Sequence, residues 1–114
     1  MATGTITGMG LFTTETADNI AAAGTNCQIQ AAQYAQYGRV AQVRLQIKAT
    51  AALAAGNNTV AVIVAGKRPI YNAIAGLHTN HDLVGYIHTN GNVVVNGAVE
   101  NSQSFTVYST YILG

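Results

Sequence analysis

One strictly alternating segment constrains the fold of this chain more than any other feature. From Arg39 to Thr50, small or aliphatic residues take every second position and polar or charged residues take the positions between them. The apolar members are Ala41, Val43, Leu45, Ile47 and Ala49. A period of two is typical of a β-strand with one face buried and the other in water. The segment therefore predicts a strand in a half-covered sheet.

Two further segments predict strands. Residues 59–65 are apolar on both faces and rich in β-branched residues, which is typical of a strand covered on both sides. From Phe105 towards Gly114 apolar and polar residues alternate again, which predicts a last strand. Between these two segments, Pro69 has no amide hydrogen to donate, so we expect it to interrupt strand pairing.

A hairpin is predicted where Asn90, Gly91 and Asn92 separate residues 83–89 from residues 93–99. Asn-Gly between two apolar alternations is the strongest short-range signal for a hairpin.

Two N-terminal segments carry weaker patterns. Residues 26–37 are extended in pattern, and the pair Ala31 and Ala32 breaks the alternation, which predicts a bulge or kink. Residues 16–23 end in three consecutive alanines and offer Thr16 or Asp18 as a cap, which predicts a short helix.

Many short strands joined by Gly and Asn turns predict an all-β fold, a single-domain antiparallel β-sandwich or jelly roll. The chain has 114 residues with only two Phe and no Trp, and alanine is frequent. Small side chains make a thin core, and small domains commonly supplement a thin core by association. We therefore expect a homo-oligomer.

The scarcity of charge supports that expectation and excludes some partners. Only 8% of the residues are charged, against about 25% in typical soluble domains. The formal net charge of +1 provides no basic surplus for a phosphate backbone, so nucleic-acid binding is disfavoured. Low net charge also removes the repulsion that keeps copies of a protein apart.

The cysteine count and the N-terminal residues bear on localisation. Cys27 is the only cysteine, so no disulfide forms within the chain. The N-terminal residues have neither a basic nor an apolar signal region, and no apolar run is long enough to span a bilayer. We expect synthesis in the cytoplasm, no secretion signal and no membrane insertion.

Catalysis is not expected, because acid and base groups are few. His81 and Asp82 are neighbours, and in an extended segment neighbouring side chains point to opposite faces. Cys27 could pair with a histidine, but a lone Cys in a strand is more often a small buried hydrophobe. The spacing of the three histidines predicts no metal site within one chain. A histidine from each subunit could still meet on the axis of a trimer. We expect no enzyme activity, no cofactor and no metal.

Saccharide binding is the ligand chemistry that the residue types suit best. Aromatic rings cover the apolar faces of sugars, and amides and imidazoles bond to their hydroxyls. The chain interleaves Asn, Gln and His with six tyrosines: Tyr34, Tyr37, Tyr71, Tyr86, Tyr108 and Tyr111.

The order of motifs from residue 34 onwards resembles the C-terminal head domain of tailed-phage receptor-binding proteins and tail fibres. The motifs are Gly38-Arg39-Val40 leading into the alternating strand, Arg68-Pro69 in a turn, Asn90-Gly91 in a hairpin, and the closing Ser109-Thr110-Tyr111-Ile112. The resemblance divides the chain into residues 1–33, an N-terminal arm or linker packed on the assembly, and residues 34–114, a β-sandwich head domain.

The resemblance implies a homotrimeric, non-enzymatic head that belongs to a virion and contacts other virion proteins. It further implies binding to a host cell-surface saccharide near the Asn-Gly hairpin. The implied ligand-binding residues are Asn80, His81, Asp82, Tyr86, His88 and Asn96.

Two alternatives remain open. The chain could be a capsid decoration or head-fibre protein that uses residues 1–33 to attach. It could also be a tail or baseplate component whose only role is assembly.

Overall fold

The computed structural model describes residues 19–78 and 84–114, which form eight antiparallel β-strands. The strands are β1 (Ala21–Ala23), β2 (Cys27–Tyr37), β3 (Val40–Ala49), β4 (Asn57–Ile63), β5 (Ala73–His78), β6 (Val84–Ile87), β7 (Asn92–Asn96) and β8 (Ser104–Ile112). Across the sheet their order is β1-β4-β7-β6-β5-β8-β3-β2. The all-β prediction is confirmed.

Strand β5 joins the two halves of the sheet. Its first residues, from Ala73 to Ala75, pair with β6, and its last, from Gly76 to His78, pair with β8. The end strands β1 and β2 are consecutive in the chain and are linked by a tight turn, in which Cys27 N donates to Gly24 O at 3.2 Å. The eight strands therefore curl into a nearly closed, barrel-like sheet.

The core lies inside the barrel and follows the alternation of the sequence. On β3 every second residue is buried, as predicted, and on β8 Phe105, Val107, Ser109 and Tyr111 point inwards. The largest side chains without solvent exposure are Ile20, Leu45, Ile47, Ile63 and Ile87. Burial of these aliphatic groups is the main stabilising contribution, at about 25 cal/mol per Å² of apolar surface.

The predicted hairpin is confirmed between β6 and β7. His88 N donates to Asn92 O and Gly91 N donates to His88 O, both at 2.9 Å. Gly91 has a φ of 93°, in the region that glycine adopts without a steric penalty. Glycine at position 91 thus suits the backbone of this turn.

The prediction of a bulge in β2 is also confirmed. The pairing of β2 with β3 shifts between Ile29 and Ala31, so Gln30 has no partner in the register. β2 runs without interruption across residue 33, where the sequence resemblance divides the chain, and that division remains a prediction.

The predicted helix over residues 16–23 is wrong for its described end. Residues 21–23 form β1, which pairs with residues 61–63 of β4. Alanine favours helix in isolation, but pairing with β4 and the burial of Ala21 outweigh that small preference. In the part of the chain that the structure describes, no helix is long and apolar enough to cross a membrane.

Candidate functional site

Large exposed apolar and aromatic side chains are confined to five neighbouring strands and one loop in the described part of the chain. Among the described residues this set comprises Tyr37, Val40, Ile70, Tyr71, Ile74, Val84, Tyr86, Tyr108 and Ile112. They lie on β2, β3, β5, β6 and β8 or in the loop before β5, and none lies on β1, β4 or β7. We call these nine residues the tyrosine face. Contiguous exposed apolar surface of this kind marks interaction sites in soluble proteins.

The pairing of neighbouring strands places members of the tyrosine face side by side. In one row, Tyr37 pairs with Val40 and Val40 pairs with Ile112. Directly paired side chains on one side of a sheet have Cβ atoms about 5 Å apart, so these three form a continuous strip.

A second row of the tyrosine face crosses from β5 to β6. Ile74 pairs with Tyr86, and the side chain of Ile74 is 77% exposed. An isoleucine this exposed contributes little to the core, so its place on the surface is not explained by folding.

A groove of about 690 Å³ runs along the end of the tyrosine face. The loop from Ile70 to Asn72 and the start of β5 form one wall, the end of β8 forms the other, and Arg39 lies at its margin. Tyr71 is 77% exposed in this groove. The mixture of aromatic ring, amide, hydroxyl and guanidinium groups matches the polar and apolar sides of a sugar.

An adjoining groove lies around Tyr108, lined by Gln42, Ile74, Gly76 and Thr110. The ring of Tyr108 packs closely against Gly76. A Cβ added to this glycine would lie only 2.8 Å from Tyr108 Oη. The absence of a side chain at position 76 thus allows the ring to lie close to the sheet. Ile74 lines both grooves and joins them into one surface.

The outer surface of β4 and β7 has a different composition. Its exposed or half-exposed polar residues are Asn57, Thr59, Asn92 and Asn96, which we call the asparagine face, and Val62 and Val94 pair with Asn92 and Thr59 on the same side. Asn96 Nδ2 donates to Asn57 Oδ1 at 2.8 Å across the paired strands. This face uses its amides to hold strands together.

Three of the six predicted ligand-binding residues lie in the described part of the chain. Tyr86 is on the tyrosine face opposite Ile74, and His88 begins the turn of the hairpin. Asn96 pairs with Val84 and with Asn57, so it lies on the asparagine face beside the tyrosine face. The other three, Asn80, His81 and Asp82, lie outside the described residues.

The hairpin that carries His88 is connected to the wall of the larger groove. Thr89 N donates to Asn72 Oδ1 at 3.0 Å. This bond orients the Asn72 amide, which leaves its Nδ2 as a donor at the groove. The segment that the sequence selected is therefore linked to the groove through Asn72.

Two tyrosines of the predicted set are part of the interior. Tyr34 and Tyr111 are buried, and Tyr111 Oη donates to the carbonyl of Lys67. Burial raises the pKa of Tyr111 well above its usual value, and the neighbouring Tyr34 raises it further. Lys67 Nζ lies 5.1 Å from the centre of the Tyr34 ring, within the range of a cation–π contact.

Groups with catalytic or metal-binding chemistry are sparse in residues 19–78 and 84–114. No three His, Cys, Asp or Glu side chains come together there as a metal site requires. Burial raises the pKa of the Cys27 thiol, which favours its protonated, less nucleophilic form.

Several groove residues carry no signal in the sequence. Strand β5 was not predicted, because its large residue Ile74 faces outwards while the small Ala75 faces the core. Arg39 lies in a turn and Asn72 in the loop before β5. Nothing in the local sequence pattern marks either residue as part of a binding site. The exposed alternation on β8, by contrast, could have indicated Tyr108.

The comparisons with known proteins yield no relative. No protein family, no curated protein and no solved structure matches the chain. The proposals that follow therefore depend on the residues and geometry described above.

Proposed function

We propose that the chain is a non-enzymatic, saccharide-binding head domain of a phage tail fibre or baseplate protein, with the tyrosine face as its binding surface. The observation that carries the proposal is the concentration of exposed tyrosines beside two adjoining grooves, whereas β1, β4 and β7 carry no exposed large apolar residue.

The chemistry of the grooves supports a saccharide ligand. Tyr71 and Tyr108 offer ring faces for the apolar side of a sugar, and Gln42, Asn72 and Thr110 offer hydrogen-bonding groups for its hydroxyls. Shallow, open grooves on a rigid sheet suit an extended polymer that lies across the surface. Tyr86 extends this surface towards the hairpin that the sequence resemblance selects.

The wider proposal keeps the expectations that accompany the phage resemblance. These are a homotrimer, a β-sandwich or jelly-roll description of the head, contacts with other virion proteins, and a place on the virion after synthesis in the host cytoplasm. The low net charge and the small side chains of the core support self-association. Light scattering tests the trimer, and a stable monomer at micromolar concentration would contradict it.

A glycan array followed by alanine variants tests the binding surface. We expect Tyr71→Ala and Tyr108→Ala each to weaken binding of the best glycan by about tenfold or more, as loss of a central aromatic contact does. Tyr86→Ala and His88→Ala test the residues selected from the sequence. Thr59→Ala, on the asparagine face, is the matched control and should bind normally. Unchanged binding in both Tyr71→Ala and Tyr108→Ala would remove the site assignment.

The aliphatic residues of the tyrosine face favour a second candidate, a capsid decoration or head-fibre protein. Ile70, Ile74 and Ile112 are exposed together, and isoleucine suits protein contact better than sugar contact. In this alternative the face lies against another virion protein. Localisation of the chain on the capsid rather than at the tail tip, with no glycan bound, would select it.

A further inference from the structure

Among the described residues that line the larger groove, Arg39 is the one with a charged side chain. Arg39 follows the turn at Gly38 between β2 and β3, and its backbone is fixed because Leu113 N donates to Arg39 O at 2.7 Å. Its Nη2 donates to Leu113 O at 2.9 Å, the one side-chain hydrogen bond of Arg39 to the described residues. A guanidinium has five N–H donors, so most of its donors remain open to a ligand.

No acidic side chain of the described chain balances this charge locally. All five Lys and Arg residues are described, whereas Glu100 is the one described acidic residue. Glu100 belongs to a turn whose Gln103 O accepts from Ala49 N, at the far end of β3. Arg39 precedes the first residue of the same ten-residue strand, so the two charges are about 30 Å apart.

Two further cations lie near the end of the barrel that carries the groove. Lys67 and Arg68 immediately precede Pro69 and Ile70, and Arg68 O accepts from Gly114 N beside Leu113. Arg68 Nε donates to Ile63 O at 2.7 Å, which holds its charge against the end of β4. Among the described side chains, the charged groups at this end of the barrel are therefore all cationic, and cationic groups attract anions.

We propose that the larger groove binds an anionic saccharide unit, with Arg39 bonding the acidic group and Tyr71, Asn72 and Thr110 contacting the sugar. This inference rests on the proposed saccharide-binding function and specifies its ligand class. The shared chemistry is a carboxylate or phosphate on a sugar, since both accept paired hydrogen bonds from a guanidinium.

Calorimetric titration of the full chain with defined sugars tests the inference. The probes are a galacturonic acid trimer for the carboxylate, glucose 6-phosphate for the phosphate, and a neutral galactose trimer and glucose as their matched controls. We expect at least one acidic sugar to bind tenfold or more tightly than its neutral control. That preference should fall several-fold between 50 and 500 mM NaCl, because salt screens the charge.

Variants assign the preference to Arg39. Arg39→Gln should reduce acidic-sugar binding to the neutral level, and Arg39→Lys should retain part of the preference. Lys48→Gln is the control, because Lys48 is a cation near the far end of β3 and lines neither groove. Thermal unfolding of each variant checks that loss of the bond to Leu113 has not unfolded the barrel. The salt dependence of sugar binding by the unaltered protein tests the inference without any variant.

The outcomes separate this inference from the proposed function. Equal binding of acidic and neutral sugars would overturn the anionic preference and leave saccharide binding in place. A preference that survives in Arg39→Gln would overturn the role of Arg39. No binding of any sugar here, together with no signal on the glycan array, would overturn the proposed function itself.

Discussion

The tyrosine face and the asparagine face lie on the same barrel, yet their side chains differ in what they contact. On the asparagine face the amides of Asn57 and Asn96 bond to each other. On the tyrosine face, Ile74 and Tyr71 are each 77% exposed and leave most of their apolar surface in water. Folding explains the first arrangement but not the second, because exposed apolar surface gives little stability. This difference supports the proposal that the tyrosine face contacts a ligand or another protein.

The largest expected effect concerns the hairpin that leads into the asparagine face. In Gly91→Ala, the new Cβ would overlap Ile63 O and lie 2.5 Å from Arg68 Nε, at a φ of 93°. We expect a loss of about 2–3 kcal/mol in the free energy of unfolding, from backbone strain plus the clash. Urea denaturation measures it. Gly56→Ala is the control, with a φ of 107° and no atom within 4 Å, and should cost about 1 kcal/mol.

The next effect concerns Asn58, at the start of β4. Its Nδ2 donates to Ala54 O at 2.8 Å and also lies 3.2 Å from Gly97 O, so one amide holds two turns. Asn58→Ala leaves these carbonyls without that donor and should cost about 1–2 kcal/mol of stability. Urea denaturation at neutral pH checks this. A cost below about 0.3 kcal/mol would mean that the Asn58 amide does not hold these turns together.

A pH-dependent effect is expected beneath the tyrosine face, at Tyr111. Because its pKa is raised above the usual 10, the folded protein keeps this proton at a pH where the unfolded chain loses it. The unfolded state then binds fewer protons, so stability falls as pH rises above 10. Tyr111 should contribute a loss of about 1 kcal/mol between pH 9 and pH 11. The measurement is the difference in that slope between the unaltered protein and Tyr111→Phe, and equal slopes would contradict the assignment.

The smallest effect on stability is expected on the tyrosine face itself. Ile74→Ser removes an exposed side chain, while the bond from Ser109 Oγ to Ile74 O at 2.9 Å uses the backbone and is retained. The free energy of unfolding should change by less than about 0.5 kcal/mol. Binding of the selected ligand, or self-association if this face joins copies, should weaken in the same variant. If Ile74→Ser destabilises the fold as much as Asn58→Ala, the contrast between the two faces fails.

The strands with strong alternation were predicted correctly from the sequence. On β3 and β8 most of the buried residues are apolar, and burial of one side of a strand leaves little freedom in register. The hairpin at Gly91 was predicted because its backbone requires a residue that tolerates positive φ. The bulge in β2 was predicted because Ala31 and Ala32 interrupt the alternation.

Predictions failed or were missing where local pattern and tertiary pairing disagree. The alanines of β1 favour helix, and only their pairing with β4 makes them a strand. Strand β5 was not identified, because its alternation places Ile74 outside and Ala75 inside, the reverse of the usual arrangement. The same reversal makes Ile74 part of the candidate site.

The candidate site was found only in part. The sequence indicated the tyrosines as a set and directed attention to Tyr86 and His88, but it could not separate exposed Tyr71 and Tyr108 from buried Tyr34 and Tyr111. All four residues are tyrosines, so residue type does not distinguish them. The exposure of each ring depends on the strands that pack around it, and those strands are distant in the sequence.

The amino-acid sequence by itself determined an all-β chain with little charge, an alternating central strand and an Asn-Gly hairpin, because these depend on local periodicity and backbone sterics. Only the tertiary structure decided that β5 joins the two halves of the barrel, and that Arg39, Tyr71 and Thr110 line one groove. These residues are brought together by pairing between strands far apart in the chain, and no local pattern encodes that pairing.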